Sequence, residues 1–169
     1  VLLKNDDNTL PCATSSSEKT KVSLFGARSS ATITGAFIGH KAAGNNQTVH
    51  FDDAFKDAGY DVNPTLNDAY EKYVASKNAK KQLLENDFPA MGMYAAFAGM
   101  RDGFDTLEAT TDDLTAMNPE AISSIENYSD LGVVVFGRAA SEGIDWDKTA
   151  GKCKDGMENP MQLSDKEKA

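Results

Sequence analysis

An apolar run late in the chain ends at a glycine and is followed by a loop rich in carboxylates. The run covers residues 131–136, and Gly137 closes it shortly before Glu142 and Asp145. Its length and β-branched content predict a buried strand. In open α/β sheets, ligands bind beyond the carboxyl ends of the strands, so this loop is predicted to lie where chemistry takes place. The residue to explain is therefore Glu142.

Predicted strands and helices alternate along the chain. In order, they are a strand at 21–26, a helix at 52–58 stopped by Gly59, a short strand at 60–63, a helix from Pro64, a helix from Pro119 through Tyr128, and the strand at 131–136. This order favours a mostly parallel sheet covered on both faces. The expected fold is α/β, a three-layer α/β/α sandwich that is incomplete at its C-terminal end.

Two of these helices carry apolar residues at helical spacing. The first places Phe51, Ala54, Phe55 and Ala58 on one face, and the second does the same with Leu66, Ala69, Tyr70, Tyr73 and Val74. Both faces are expected to point into the core. Ser164, followed by Asp165 and Glu167, has the pattern of an N-cap with an acidic first turn.

The length of 169 residues predicts one domain. We expect an N-terminal arm and linker at 1–20 and the sandwich domain at 21–169. A stretch rich in Met, aromatic residues and Gly, about 82–117, is interpreted as an insertion that serves packing or covers another domain. A start at Val1 and a charged last helix that has barely begun suggest a piece of a longer protein.

Composition excludes several function classes. The net charge of −9 disfavours nucleic acid as a partner and also an anionic membrane surface. Cys12 and Cys153 lie far apart and are expected to be free thiols. His40 and His50 have no evident nucleophile partner or metal-type spacing, so neither a metal nor a cofactor is expected. The compartment stays open, and an extracytoplasmic location in a bacterium is compatible with the sequence.

Carboxylate chemistry is better placed in this chain. Glycoside hydrolysis needs two carboxyl groups that flank the scissile bond, one of them protonated until it donates to the leaving oxygen. Glu142, between Ser141 and Gly143 in a tight turn, is a candidate for that acid. The alternative from composition alone is a solvated acidic loop.

Further segments carry a resemblance to a known family. They are VLLKND at 1–6 with Leu10–Pro11, KVSLFG at 21–26, VVVFGR at 133–138, SEGID at 141–145, and Leu163–Ser164 with Glu167. In order and spacing they resemble the α/β sandwich domain of glycoside hydrolase family 3. The family often has Arg after the Asp, where this chain has Trp146, and a denser glycine pattern than Ala31–Gly35.

The resemblance implies a retaining, exo-acting hydrolase of β-glycosides, similar to β-glucosidases, whose aspartate nucleophile lies on a separate TIM barrel. It places the general acid/base on Glu142, with Arg138 and Asp145 orienting the loop, and it implies that the chain alone is inactive. Trp146 would either stack on a sugar or pack at the domain border.

Two other readings stay open. One is a non-catalytic binding or scaffolding α/β module, in which the acidic loop is a surface and the Met-rich stretch docks a partner. The other, a flavodoxin-like nucleotide binder, lacks phosphate-cradling glycines. An unfinished sheet would expose an edge strand, which favours homodimerisation.

Overall fold

Three short parallel strands and five helices make up the part of the chain that a computed structural model describes. The described residues are 4–6, 10, 12, 18–32, 49–77, 107–129, 131–137, 156–158 and 161–169. The strands are β1 (Lys21–Phe25), β2 (Asp61–Val62) and β3 (Leu131–Val134). The helices are α1 (Phe51–Asp57), α2 (Pro64–Ser76), α3 (Thr111–Met117), α4 (Ala121–Tyr128) and α5 (Asp165–Lys168).

The sheet has the order β2-β1-β3, and both pairings are parallel. The chain leaves β1 for one neighbour and later returns to the opposite side of β1 to form the other. This confirms the α/β class and the parallel sheet. In such an order the switch point lies at the carboxyl ends of β1 and β3.

Alternate residues of β1 belong to two apolar clusters. Val22 and Leu24 lie in the smaller cluster with Val62, against which Phe55 of α1 packs. Phe25 packs against the larger cluster, to which α2 contributes most residues and to which the segment 107–109 and Leu114 of α3 also belong. The two-residue period of a strand therefore divides the core into a large and a small part.

Helix α2 buries the face that its sequence predicts. Leu66, Ala69, Tyr70, Tyr73 and Val74 are all buried. Its N-cap is Asn63, whose side-chain oxygen accepts hydrogen bonds from the backbone N–H groups of Thr65 and Leu66, each at 3.2 Å. Pro64 follows at the first helical position, where its missing N–H costs nothing.

A buried polar network joins this cap to the sheet. The side-chain nitrogen of Asn63 donates to the hydroxyls of Ser23 and Ser124, both at 3.2 Å. The hydroxyl of Ser129 donates to that of Ser23 at 2.8 Å. Buried polar groups are stable only when hydrogen-bonded, so this network fixes β1 against α2 and α4.

Helix α1 does not bury its predicted face. Phe51 is 41% exposed, whereas Asp52, on another side of the helix, is 1% exposed. Ala54 and Ala58 are exposed as well, and Phe55 is half-buried. The expected end of α1 is confirmed, because Gly59 has φ +89° just after it.

The predicted cap at the C-terminal end is confirmed. The hydroxyl of Ser164 accepts from the backbone N–H of Glu167 at 3.2 Å, and the Glu167 carboxylate accepts from the N–H of Ser164 at 2.8 Å. This reciprocal pair is a capping box. No helix of the described residues is long and apolar enough to cross a membrane.

Candidate functional site at the carboxyl end of β1

The carboxyl ends of β1 and β3 lie side by side. Phe25 is in register with Val134, and the backbone N–H of Val135 donates to the carbonyl of Phe25 at 2.9 Å. After β1 the chain turns at Gly26 and forms a 3-10 turn at Ala27–Ser29. We call residues 26–32, together with the segment 107–110 that contacts them, the β1 junction.

Gly26 is required at this junction for two independent reasons. Its φ of +95° lies in a region that side chains with a Cβ rarely adopt. A Cβ at this position would also collide with the carbonyl oxygen of Val135 and lie 3.4 Å from Oε2 of Glu108. The end of β1, the chain just beyond β3 and the segment 107–110 therefore meet at Gly26.

Glu108 joins two distant segments through its carboxyl group. The backbone N–H of Ala27 lies 3.2 Å from each carboxyl oxygen, and Oε1 also accepts from the N–H of Ala109 at 3.0 Å. The side chain is 6% exposed. A buried acid thus connects the turn after β1 to a segment that lies far away in the sequence.

Burial raises the pKa of Glu108 from 4.5 to about 7, because desolvation penalises the charged form. The backbone N–H groups of Ala109 and Ala27 act in the opposite direction, since they stabilise the carboxylate. The charge of Glu167 raises the pKa further, whereas that of Arg28 lowers it. Glu108 therefore titrates near neutrality.

Two tyrosines of α2 pack beside this acid. The hydroxyl of Tyr73 donates to the backbone carbonyl of Glu108 at 2.9 Å. Burial, and then the charge of Glu108, raises the pKa of Tyr70 to about 12, so this phenol is neutral at physiological pH. Helix α2 is therefore joined to the segment 107–110 through the hydroxyl of Tyr73.

Leu107 has a strained backbone. Its φ of +57° lies in the left-handed region, which is uncommon for residues with a bulky side chain. Such conformations persist only where the surroundings hold them. The side chain of Leu107 is buried in the core, and the next residue, Glu108, is held by hydrogen bonds that include the one from Tyr73 to its carbonyl.

The 3-10 turn buries further polar groups. Arg28 is 3% exposed, and its guanidinium donates to the carbonyl of Ala31 at 3.4 Å. The hydroxyls of Ser29 and Ser30 are buried and have no hydrogen-bond partner within the described part of the chain. Nδ1 of His50 accepts from the N–H of Thr32 at 3.1 Å, which ties the start of α1 to the end of the turn.

Among the described residues at this edge of the sheet, the Glu108 carboxyl joins two segments of backbone. The carboxyl oxygens of Glu108 already accept from backbone amides, and the side chain is shielded from solvent. It cannot meet a ligand in this conformation, although its pKa alone would suit a general acid. Among the described ranges, no group of His, Cys, Asp or Glu is arranged to hold a metal ion.

The residues that the sequence analysis selected, Arg138, Glu142, Asp145 and Trp146, lie outside the described residues. The structure brings the chain to Gly137, directly beyond β3 and beside the β1 junction. Cys12 is half-buried, and Cys153 lies outside the described ranges, so the expectation that both are free thiols stays a prediction.

Glu108 was not selected from the sequence. It lies within the predicted insertion at about 82–117, yet Leu107, Ala109 and Leu114 belong to the larger apolar cluster. Residues 78–106 lie outside the described residues, so the extent of the insertion stays a prediction. The available signal was a single acid between Leu107 and Ala109, two apolar neighbours in an otherwise polar stretch.

The fold and the junction define a protein of the α/β class whose crevice, by topology, lies beyond β1 and β3. Comparisons with protein-family models, with curated proteins and with solved structures found no match.

Proposed function

We propose that this chain is the α/β sandwich domain of a retaining, exo-acting β-glycosidase similar to glycoside hydrolase family 3, and that it supplies Glu142 as the general acid/base. The observation that carries the proposal is the parallel pairing of β1 with β3, which ends both strands at one edge. The chain leaves this edge at Gly137, shortly before Glu142. Segment by segment, the resemblance in sequence agrees with that placement.

The packing of β1 supports the three-layer arrangement. Its alternate residues join two separate apolar clusters, with Phe55 of α1 in one and residues of α2 in the other. Helices on both faces of a parallel sheet are the usual way to cover it. In the proposed fold, further strands complete the sheet.

In the proposed reaction Glu142 acts twice. It first gives its proton to the glycosidic oxygen while an aspartate of a TIM-barrel domain attacks the anomeric carbon, which forms a glycosyl-enzyme and releases the aglycone. It then takes a proton from the water that releases the sugar. A separation of about 5 to 5.5 Å between the two carboxyl groups is typical of this retaining geometry.

The other proposed residues serve this acid. Arg138 and Asp145 orient the loop, and Trp146 either stacks on the apolar face of a sugar or packs at the domain border. At the β1 junction the chain just beyond β3 packs closely on Gly26, which admits no side chain beside Val135. The substrate is a β-glycoside, and no cofactor takes part.

The first test is azide rescue of Glu142→Ala in the intact protein that carries this chain and its barrel. Hydrolysis of unactivated glycosides should fall far more than that of an activated aryl β-glycoside, because only poor leaving groups need the proton. Azide should restore turnover of the activated substrate and give a β-glycosyl azide. Glu120→Ala, at an exposed acid of the same domain, is the matched control.

Equal losses on activated and unactivated substrates, with no rescue by azide, would remove Glu142 from the acid/base role. Near wild-type rates on both would do the same. Either result would shift attention to another carboxylate of the loop.

A binding or scaffolding module is the second candidate. Val134 and Phe136, at and just beyond the end of β3, are 56% and 48% exposed, which favours contact with another polypeptide. This candidate predicts no hydrolysis of aryl β-glycosides by the intact protein. It also predicts that Trp146→Ala leaves any binding of a sugar lactone unchanged.

A further inference from the structure

We propose that Glu108 is a positioning residue for the reaction: its carboxylate fixes the turn after β1 and, through that turn, the course of the chain just beyond β3 that leads to Glu142. This inference rests on the proposed function, since it concerns the reaction in which Glu142 is the general acid/base. Glu108 itself transfers no proton to the substrate, because its side chain is buried and backbone amides hold its carboxyl group.

The hydrogen bonds to the Glu108 carboxyl suit its ionised form. The N–H of Ala27 lies 3.2 Å from both oxygens, and the N–H of Ala109 donates to Oε1 at 3.0 Å. A carboxylate accepts at both oxygens, whereas a glutamine amide has one oxygen and an NH2 group that only donates. Hydrogen bonds to an ionised acceptor are also the stronger ones. The carboxylate is therefore the group that fits against the N–H of Ala27.

The turn after β1 contacts the chain beyond β3 through backbone atoms. The N–H of Val135 donates to the carbonyl of Phe25 at 2.9 Å. At the next residue of the turn, a Cβ on Gly26 would collide with the carbonyl oxygen of Val135, so the two backbones lie directly against each other. A shift of the turn would therefore displace the point from which the chain continues to Gly137 and Glu142.

Glu108 is itself held by its surroundings. The hydroxyl of Tyr73 in α2 donates to the backbone carbonyl of Glu108 at 2.9 Å, and the side chain is buried. The preceding residue, Leu107, has φ +57°. Such strained conformations cluster at functional sites, where the surrounding structure holds them. A side chain whose own conformation is fixed by packing and hydrogen bonds is what a positioning role requires.

The position of the chain beyond β3 matters because proton donation depends on distance. A general acid must lie within hydrogen-bond reach of the leaving oxygen. A displacement of about 1 Å, caused by a change far from the chemistry, can lower a rate by about a hundredfold. Loss of the contact between Glu108 and Ala27 should therefore slow the substrates whose leaving group needs the proton, and spare those whose leaving group does not.

The test compares two substrates in the intact protein that carries this chain and its barrel. Burial raises the pKa of Glu108 to about 7, so the assay is run at pH 8, where the carboxylate predominates. In Glu108→Gln, kcat/KM for an unactivated β-glycoside should fall by about ten- to a hundredfold. For an activated aryl β-glycoside, whose departure needs no acid, kcat/KM should fall by less than about twofold.

Ser124→Ala is the matched control for a loss of stability. It deletes the hydrogen bond between Ser124 and Asn63 and leaves those of Glu108 in place. A variant that is merely less stable contains less folded enzyme, which lowers kcat/KM for both substrates by the same factor. The ratio of the two kcat/KM values should therefore stay at its wild-type value in Ser124→Ala and fall in Glu108→Gln.

An unchanged ratio in Glu108→Gln overturns the positioning role, whatever the variant loses in stability, and leaves the glycosidase proposal standing. A wild-type protein that hydrolyses neither substrate overturns the proposed function, and the positioning role with it. Glu108→Asp covers the case in which Glu108→Gln does not fold, because it keeps the charge but withdraws the carboxyl from Ala27 by one methylene. The same fall in the ratio is expected there, and an unchanged ratio again overturns the proposal.

Discussion

Helices α1 and α2 come just before and just after β2, and both carry apolar residues at helical spacing, yet they use those residues differently. Helix α2 buries all five predicted positions, whereas α1 leaves Phe51 exposed and buries Asp52. The difference lies in what fixes each helix. Helix α2 has 13 residues and a broad contact with the larger apolar cluster. Helix α1 has seven residues and contacts the smaller apolar cluster through Phe55.

Hydrogen bonds join the residues at both ends of α1 to neighbouring segments. At the start, Nδ1 of His50 accepts from the N–H of Thr32. At the finish, the N–H of Tyr60 donates to the carbonyl of Phe55, and that of Asp61 donates to Thr20 beside β1. A helix of two turns has too little apolar area to oppose such connections. In this chain the long helix α2 buries the face that its apolar spacing predicts, whereas the short helix α1 leaves most of that face exposed.

The largest expected effect comes from a substitution in α2, the helix that buries its predicted face. Leu66→Ala in α2 should lower the free energy of unfolding by about 3 kcal/mol, because it leaves a cavity at a fully buried position. Urea unfolding followed by circular dichroism measures this loss. A loss below about 1 kcal/mol would show that the α2 face is not the main core.

A pair of glycines provides the second test. Gly26 and Gly59 both have positive φ, but a Cβ at Gly26 would collide with backbone, while a Cβ at Gly59 would meet nothing within 4 Å. Gly59→Ala should cost about 1 kcal/mol, from the conformation alone. Gly26→Ala should cost about 2 kcal/mol more, because the carbonyl of Val135 must move.

The two variants are compared by the same unfolding measurement. Equal losses would mean that the approach of β3 to Gly26 is looser than the distances indicate.

Much of the fold follows from local sequence. The strand at 21–26, the start of α2 at Pro64 and the N-cap at Ser164 depend on neighbours in the chain, and each was predicted within a residue or two. The parallel pairing of the strands was predicted from the alternation of helices and strands.

What sequence reasoning missed depends on contacts between distant residues. Glu108 is buried and accepts a hydrogen bond from Ala27, which lies far from it in the sequence, and Asp52 is buried although its neighbours in α1 are exposed. Neither reason is visible in a window of neighbouring residues. The predicted acid/base, Glu142, lies outside the described residues, so its assignment rests on the sequence and on where β3 ends.

The smallest expected effect tests the exposure of Phe51 at the start of α1. Phe51 is 41% exposed, so Phe51→Ser should change the free energy of unfolding by less than about 0.5 kcal/mol. Phe55, half-buried and in an edge-to-face contact with Tyr60 at 5.1 Å, is the matched position. Phe55→Ser should cost about 1 to 2 kcal/mol, because it removes an aromatic side chain from the smaller cluster. If Phe51→Ser is the more costly of the two, Phe51 is buried in solution and α1 packs through its first turn as well as through Phe55.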